Sequence, residues 1–241
     1  MSQTPPMADA SPSDCERIII VGAGGFGREV LQWACHAWTE HVSKIAGFLS
    51  ADADKLDAYA PSFPILGSPA AFRPQRSDGL VLAIGIPQIR RVVAEQLEAR
   101  GARFLTMFHP TAIVAETAQI GTGTVICPYA IVSDSVRLGR FVLVNYHASL
   151  GHDAAAEDFS VLSPYATLGG GALIETDCFL GAHAFVAPRG VLGSRSSVSA
   201  NSCLMGSAPM ESLVHGVPGR ITTKLRFAEP DHALGDERHG F

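Results

Sequence analysis

The chain lacks the marks of several common protein classes. Charged residues make up only 17% of its 241 positions, with 18 Lys and Arg against 23 Asp and Glu, and no basic run occurs. Binding a nucleic-acid backbone needs clustered cations, so no nucleic-acid partner is expected. No stretch approaches the roughly 20 consecutive apolar residues of a membrane span, and residues 1–14 contain no apolar h-region. The five cysteines, Cys15, Cys35, Cys127, Cys178 and Cys203, are odd in number and show no C-x-x-C spacing. They point to reduced packing thiols and not to a disulfide framework. A soluble, untargeted, cytoplasmic protein with no membrane partner and a flexible leader over residues 1–16 is the expectation.

What the chain does contain is a period. From Val114 to Leu204 an aliphatic residue recurs at every sixth position, through Ile120, Ile126, Val132, Leu138, Val144, Leu150, Leu162, Leu168, Ile174, Leu180, Val186, Leu192 and Val198, with only Ala156 undersized. Four residues after nearly every one stands a small residue, as at Ala130, Ala148, Ala154, Ala166, Ala172, Cys178 and Ala184. One large and one small inward side chain per six residues fill a narrow triangular interior if three hexads make a coil and coils stack at about 4.8 Å. This predicts a parallel β-helix of about five coils, roughly 24 Å tall. Its handedness does not follow from the period, since parallel crossovers are normally right-handed.

Ahead of the repeat, Arg17–Val21 reads as a buried strand running directly into Gly22-Ala-Gly24-Gly25-Phe26-Gly27, and Arg28–Trp38 carries helical periodicity. Strand, glycine turn and helix in that order let a phosphate approach the backbone and meet free N–H groups at the helix start. Further strands are predicted at Lys44–Leu49, Leu80–Ile84 (ending at Gly85) and Arg103–Phe108, with a helix over Pro87–Arg100. The pattern is half of a doubly wound sheet. A nicotinamide site would place an acid at the end of the second strand, but Ser50 stands there, with Asp52 and Asp54 slightly beyond. The plainer reading of the glycines is a tight turn that binds nothing. Residues 50–79 read as a loop with a short helix, Met205–Pro209 as a turn and Leu213–Arg220 as a capping strand.

With the hexads, the segment Val-Asn-Tyr-His-Ala-Ser-Leu-Gly-His-Asp at 144–153 and Gly-Val-Pro-Gly-Arg at 216–220, the chain resembles the left-handed β-helix acyltransferases. More specifically, it resembles bacterial sugar O- and N-acetyltransferases related to sialic acid O-acetyltransferase and the nucleotide-aminosugar N-acetyltransferases. The resemblance covers roughly residues 17–222. It implies a Rossmann-like nucleotide-sugar-binding domain over 17–109, a left-handed β-helix acyltransferase domain over 110–222, a C-terminal tail over 223–241 and a homotrimer. It also implies acetyl-CoA as co-substrate with no metal, and transfer to the amino group of a nucleotide-linked aminosugar for surface glycan biosynthesis, with sugar O-acetylation as the alternative. Gly24, Gly25, Phe26, Gly27 and Gly85 would hold the nucleotide sugar. The Ser50-Ala51 pair, where the family often has acids, leaves base and sugar open.

Acyl transfer needs a base for the attacking group and a donor for the oxyanion. Three prism histidines, His147, His152 and His183, fall outside the inward slots. An outward histidine is by default a solvated or interface residue. By resemblance His152 is the general base and Asp153 orients its ring, a pairing that requires a corner at 152–153 because strand neighbours face opposite ways; otherwise Asp153 is a turn former. Gly170, eighteen residues on, would sit beside the acetyl-CoA thioester with its N–H on the oxygen where charge develops, or merely form a glycine-rich corner. Asn145 would orient the acceptor, or serve a corner hydrogen bond. A competing reading takes His147 and His152 as a metal pair like that of the γ-class carbonic anhydrases, though Thr111 stands where that family has its third histidine.

Overall fold

The computed structural model describes residues 11–51 and 63–223. The expectations about Asp52, Asp54, most of the leader and the tail beyond Thr223 lie outside the described residues.

Three parallel strands, β1 (Arg17–Val21), β2 (Ile45–Leu49) and β3 (Asp78–Leu82), pair in the order β2-β1-β3, so the first strand is central. Ile18, Ile19, Ile20 and Val21 are all fully buried because the sheet is covered on both faces. Helix α1 (Gly25–Ala37) follows β1, and α2 (Pro87–Glu98) follows β3, with Pro87 in the first turn where its missing N–H costs nothing. The stretch 103–108, predicted as one strand, is divided. Phe104 makes a single parallel bridge to Leu80, while Met107–Phe108 pairs with Val125–Ile126 and opens the prism. Leaving the sheet this early is what lets the chain begin its first coil.

From Met107 the chain winds into a three-sided parallel β-helix whose two-residue strands pair with those eighteen residues away, for example Leu150 with Val132 and with Leu168. There are six coils. The first opens ahead of Val114, and the last is shortened so that Leu192 pairs with Ala208, sixteen residues on. That deletion ends the hexad frame at Leu204 and hides the sixth coil from a period count. Ser207–Ala208 is accordingly a strand where a turn was predicted. The predicted capping strand is a hairpin, with Ser212–His215 antiparallel to Arg220–Thr223; Gly216, at φ +87°, permits the reversal.

Both inward positions of the hexad are buried, as the period requires: Val132, Leu150, Leu168 and Val186 above one another, with Ala130, Ala148, Ala166 and Ala184 beside them. Leu168 is 0% exposed. We predict that Leu168→Ala lowers unfolding free energy by about 2–5 kcal/mol, read from chemical denaturation, because a rigid prism collapses poorly around a void. A loss under about 0.5 kcal/mol would mean the interior is loosely filled.

Every sixth residue at the corners, from Tyr129 through His147, Asp153, Tyr165 and His183 to Asn201, takes a positive φ of +53° to +61°, and Gly171 shares the slot at +66°. The preceding corner residues include Pro128, Pro164 and Pro188. A left-handed residue turns the chain through the corner of a coil only a few residues per side.

The first domain lies on one prism face. Val125, Cys127, Leu143 and Val161 point outward from that face yet are buried in one cluster with Val30, Leu31 and Ala34 of α1. At the adjoining corner, Phe141 packs edge-on to Phe104 at 4.9 Å and stacks on Phe159 at 5.0 Å, and Arg91 of α2 lies over Phe159 while bonding Asp177 at 2.8 Å. At the junction, buried His109 faces His36 of α1, Nε2 to Nδ1, at 3.1 Å. Thr111 donates its N–H to His109 Nδ1, so Nε2 carries the proton shared with His36. Burial, then the neighbouring His36, lowers the His109 pKa from the ordinary 6.5. The folded state therefore binds fewer protons than the unfolded one just below that value, and stability is lost as pH falls from 6.5 towards the depressed pKa. Melting temperatures from pH 7.5 down to about 5 should fall less steeply in His109→Asn than in wild type; parallel curves would remove His109 from the account.

Candidate active site

His152 and Asp153 occupy the corner after the strand Ser149–Leu150, and the left-handed Asp153 (φ +60°) folds its carboxylate back on its neighbour. His152 Nδ1 stands 2.8 Å from Asp153 Oδ2. A carboxylate only accepts, so Nδ1 is the protonated nitrogen and Nε2 keeps its lone pair. The two side chains are 73% and 65% exposed. The corner that the pairing required is present, and the ring is oriented without being buried.

One coil on, Gly170 lies against the ring. A Cβ built there would stand 2.6 Å from His152 Nε2 and 2.9 Å from Cε1. The glycine thus makes room for the imidazole to lie along the corner, which sequence reasoning did not foresee. It reserved Gly170 for its N–H. That N–H has no partner among the described residues, yet the corner slot tolerates Pro128, Pro164 and Pro188, so a free N–H there is a property of the turn. Rung bonds lock the corner: Asp153 N–H to Asp134 O at 3.0 Å and Gly171 N–H to His152 O at 2.8 Å.

Asn145 belongs to the preceding corner, where its Oδ1 accepts the Tyr146 N–H at 2.7 Å. His147 is at that corner too, in an exposed ladder with Tyr129 (5.0 Å), Tyr165 (4.7 Å) and, beyond Tyr165, His183 (4.6 Å). The structure therefore places His147 and His152 at different corners. Among the described residues, no group of three or more His, Cys, Asp or Glu is arranged to hold a metal ion.

The glycine turn is built by close approach. Gly22, at φ +114°, has its Cα side 2.5 Å from Ala83 O by the position of a built Cβ, and a Cβ at Gly27 would collide with Gly22 O. Gly27 is thus a helix-to-strand packing position. Gly24 is the N-cap of α1, no side chain caps that helix, and Gly25 and Gly85 are open to added atoms. Phe26 packs edge-on to Trp33 at 6.0 Å, and Trp33 on Tyr146 at 6.3 Å. A shallow depression lined by Gly25, Phe26, Arg28, Glu29 and Gln32 adjoins the turn. Through Trp33, α1 meets the prism at the Tyr146 corner, and His152 stands one corner further on. Nothing in the primary structure announced Trp33 and Tyr146 as a junction, because an aromatic residue on a helix reads as core.

Residues 17–97 match the family model described as the PglD N-terminal domain. Perosamine N-acetyltransferase from Caulobacter crescentus, solved as a histidine-to-asparagine variant with CoA and GDP-perosamine, superposes with a TM-score of 0.78 at 24% identity over 86% of this chain and 96% of that one. The acetyltransferase domain of PglB from Neisseria gonorrhoeae gives 0.74 at 24% identity over 86% and 100%. This chain shares the fold of those solved structures, a small parallel α/β domain followed by a left-handed β-helix. A UDP-N-acetylbacillosamine N-acetyltransferase of Bacillus subtilis (strain 168) is 44% identical over 46 residues, a stretch spanning 19% of this chain and 21% of that protein. No helix among the described residues is long and apolar enough to cross a membrane.

Proposed function

We propose that the chain is an acetyl-CoA-dependent acetyltransferase acting on the amino group of a nucleotide-linked aminosugar for surface glycan synthesis. The observation that carries this reading is the His152 ring, held by Asp153 at 2.8 Å with its Nε2 edge above side-chain-free Gly170. In support, one solved protein of this fold was crystallised with CoA and GDP-perosamine, and another with acetyl coenzyme A.

The sugar nucleotide sits at the turn formed by Gly24, Gly25, Phe26 and Gly27, with Gly85 opposite, its phosphates meeting the uncapped start of α1. Acetyl-CoA lies along the 152–170 corner. The substrate amine attacks the thioester carbonyl while His152 Nε2 takes its proton. The C–S bond breaks, and the CoA thiolate takes that proton from the His152 imidazolium as it leaves, which restores the neutral ring. Asp153 stabilises the imidazolium formed on the way. No acyl-enzyme is required. Since α1, which follows the glycine turn, meets the prism at the Tyr146 corner and His152 stands at the next corner of the same chain, a neighbouring copy in a homotrimer completes the cleft, and Asn145 faces the acceptor from such a neighbour. A cytoplasmic location accords with the acetyl-CoA donor and with cysteines that form no disulfide among the described residues.

The test is CoA release from acetyl-CoA against a panel of UDP-, GDP-, dTDP- and CMP-linked aminosugars. Turnover with at least one is expected; none, with a folded protein, would overturn the reading.

A further inference from the structure

Arg90, in the first turn of α2, is 0% exposed. Its Nη1 donates to Leu82 O at 3.0 Å and Ile84 O at 2.9 Å, the carbonyls just ahead of Gly85. Its Nε donates to Phe141 O at 2.7 Å, at a corner of the prism. One rigid planar group thereby joins the end of β3 to the second domain. Nη2, equally buried, has no partner among the described residues. Among the described residues its hydrogen bonds go to carbonyls, and no carboxylate pairs with the guanidinium. The ionisable group set against it from the prism is the buried Cys127 thiol, and burial lowers the arginine's pKa to about 9.

A buried cation without a counterion is costly, and an apolar side chain would fill the same space more favourably. What an apolar residue would lack is the fork of donors and the charge. Both act at the C-terminal edge of β1 and β3, where α1 and α2 start without side-chain caps and where ligands of open α/β sheets bind. We propose that Arg90 is the positioning residue of the nucleotide crevice: it ties the Leu82–Gly85 turn to the prism corner, and its uncompensated charge favours a nucleoside diphosphate at that turn. The inference rests on the nucleotide-sugar reading for its ligand, though not for its tether. At short range through protein, one unneutralised charge acts on an anion far more strongly than it would across water.

The experiment compares full-length wild type with Arg90→Lys and Arg90→Met. Binding of UDP, GDP, CDP and dTDP is measured beside the matching nucleosides, and backbone amide exchange is followed over residues 83–88. For whichever diphosphate binds, Arg90→Met should raise Kd about tenfold while the nucleoside changes less than about twofold. Arg90→Lys should retain most of the diphosphate preference. Its single ammonium cannot span both sets of carbonyls, so the amides of residues 83–86 and 88 should exchange faster in both variants. In turnover, KM for the nucleotide sugar should rise, with kcat and the KM for acetyl-CoA little changed. Equal losses in diphosphate and nucleoside binding would overturn the charge role, and unchanged exchange in Arg90→Lys would overturn the tether. If wild type binds no nucleotide, the nucleotide reading and the charge role fall together; the tether is then decided by exchange alone. Should Arg90→Met not fold, the lysine variant still decides the tether, and the ratio of its diphosphate to nucleoside affinity decides the charge role.

Discussion

Replacing His152 by asparagine is expected to lower kcat for acetyl transfer by about 10²–10⁴-fold, the contribution of a positioned general base. The side chain is largely exposed and, among the described residues, bonds only Asp153, so melting temperature should stay within about 2 °C of wild type. Asparagine keeps a polar group at the corner but cannot accept the amine's proton. Both kcat and kcat/KM should therefore fall together, as when an interaction made only in the transition state is removed. Asp153→Asn should lose less, since the imidazole remains and only its tautomer and orientation are freed. Wild-type rates in the His152 variant, with a proven substrate, would sink the assignment.

Gly170→Ala is expected to cost about 10²-fold in kcat through geometry alone, since a misplacement near 1 Å at the reacting group has effects of that size. The added methyl would stand 2.6 Å from Nε2, too close for any real contact, so the ring must swing away and surrender either its bond to Asp153 or its line along the corner. Gly170 is not at a positive φ, so alanine strains no backbone there and the fold should persist. A crystal structure of the variant would show the displaced ring directly. Full activity with an unmoved imidazole would mean that Gly170 has no steric role.

Much of this architecture was legible because the prism interior is narrow. Two inward slots per hexad favour one aliphatic and one small residue, with Val136 and Val142 the larger exceptions, and Leu150 with Ala148, or Leu168 with Ala166, state that rule openly. The 152–153 corner was legible for the same reason, once the pairing of neighbours was seen to need a turn. Other features depend on contacts between distant segments and left no periodic trace. The sixth coil was concealed by a two-residue deletion before Ala208. The stretch 103–108 obeys two sheets in succession, and its apolar run fits either. Gly170 shows why a site is harder to read than a fold. The sequence placed it one rung from His152, but whether the rung offered an amide or a space depended on the direction of the ring. Arg90 is harder still, since an arginine in a helix reads as surface until the carbonyls of Leu82, Ile84 and Phe141 surround it.

Inward and left-handed corner residues divide labour along the chain. Inward slots at Leu150 or Ala166 decide whether the prism stands, whereas outward ones at His147, Asp153, Tyr165 or Arg189 decide what its edges present. Substitutions in the second set leave the first untouched, provided the new side chain tolerates the turn. Such a scaffold can exchange one acceptor or donor for another by editing vertical columns of edge residues, eighteen apart in the chain, while its stability remains with residues that never meet a ligand.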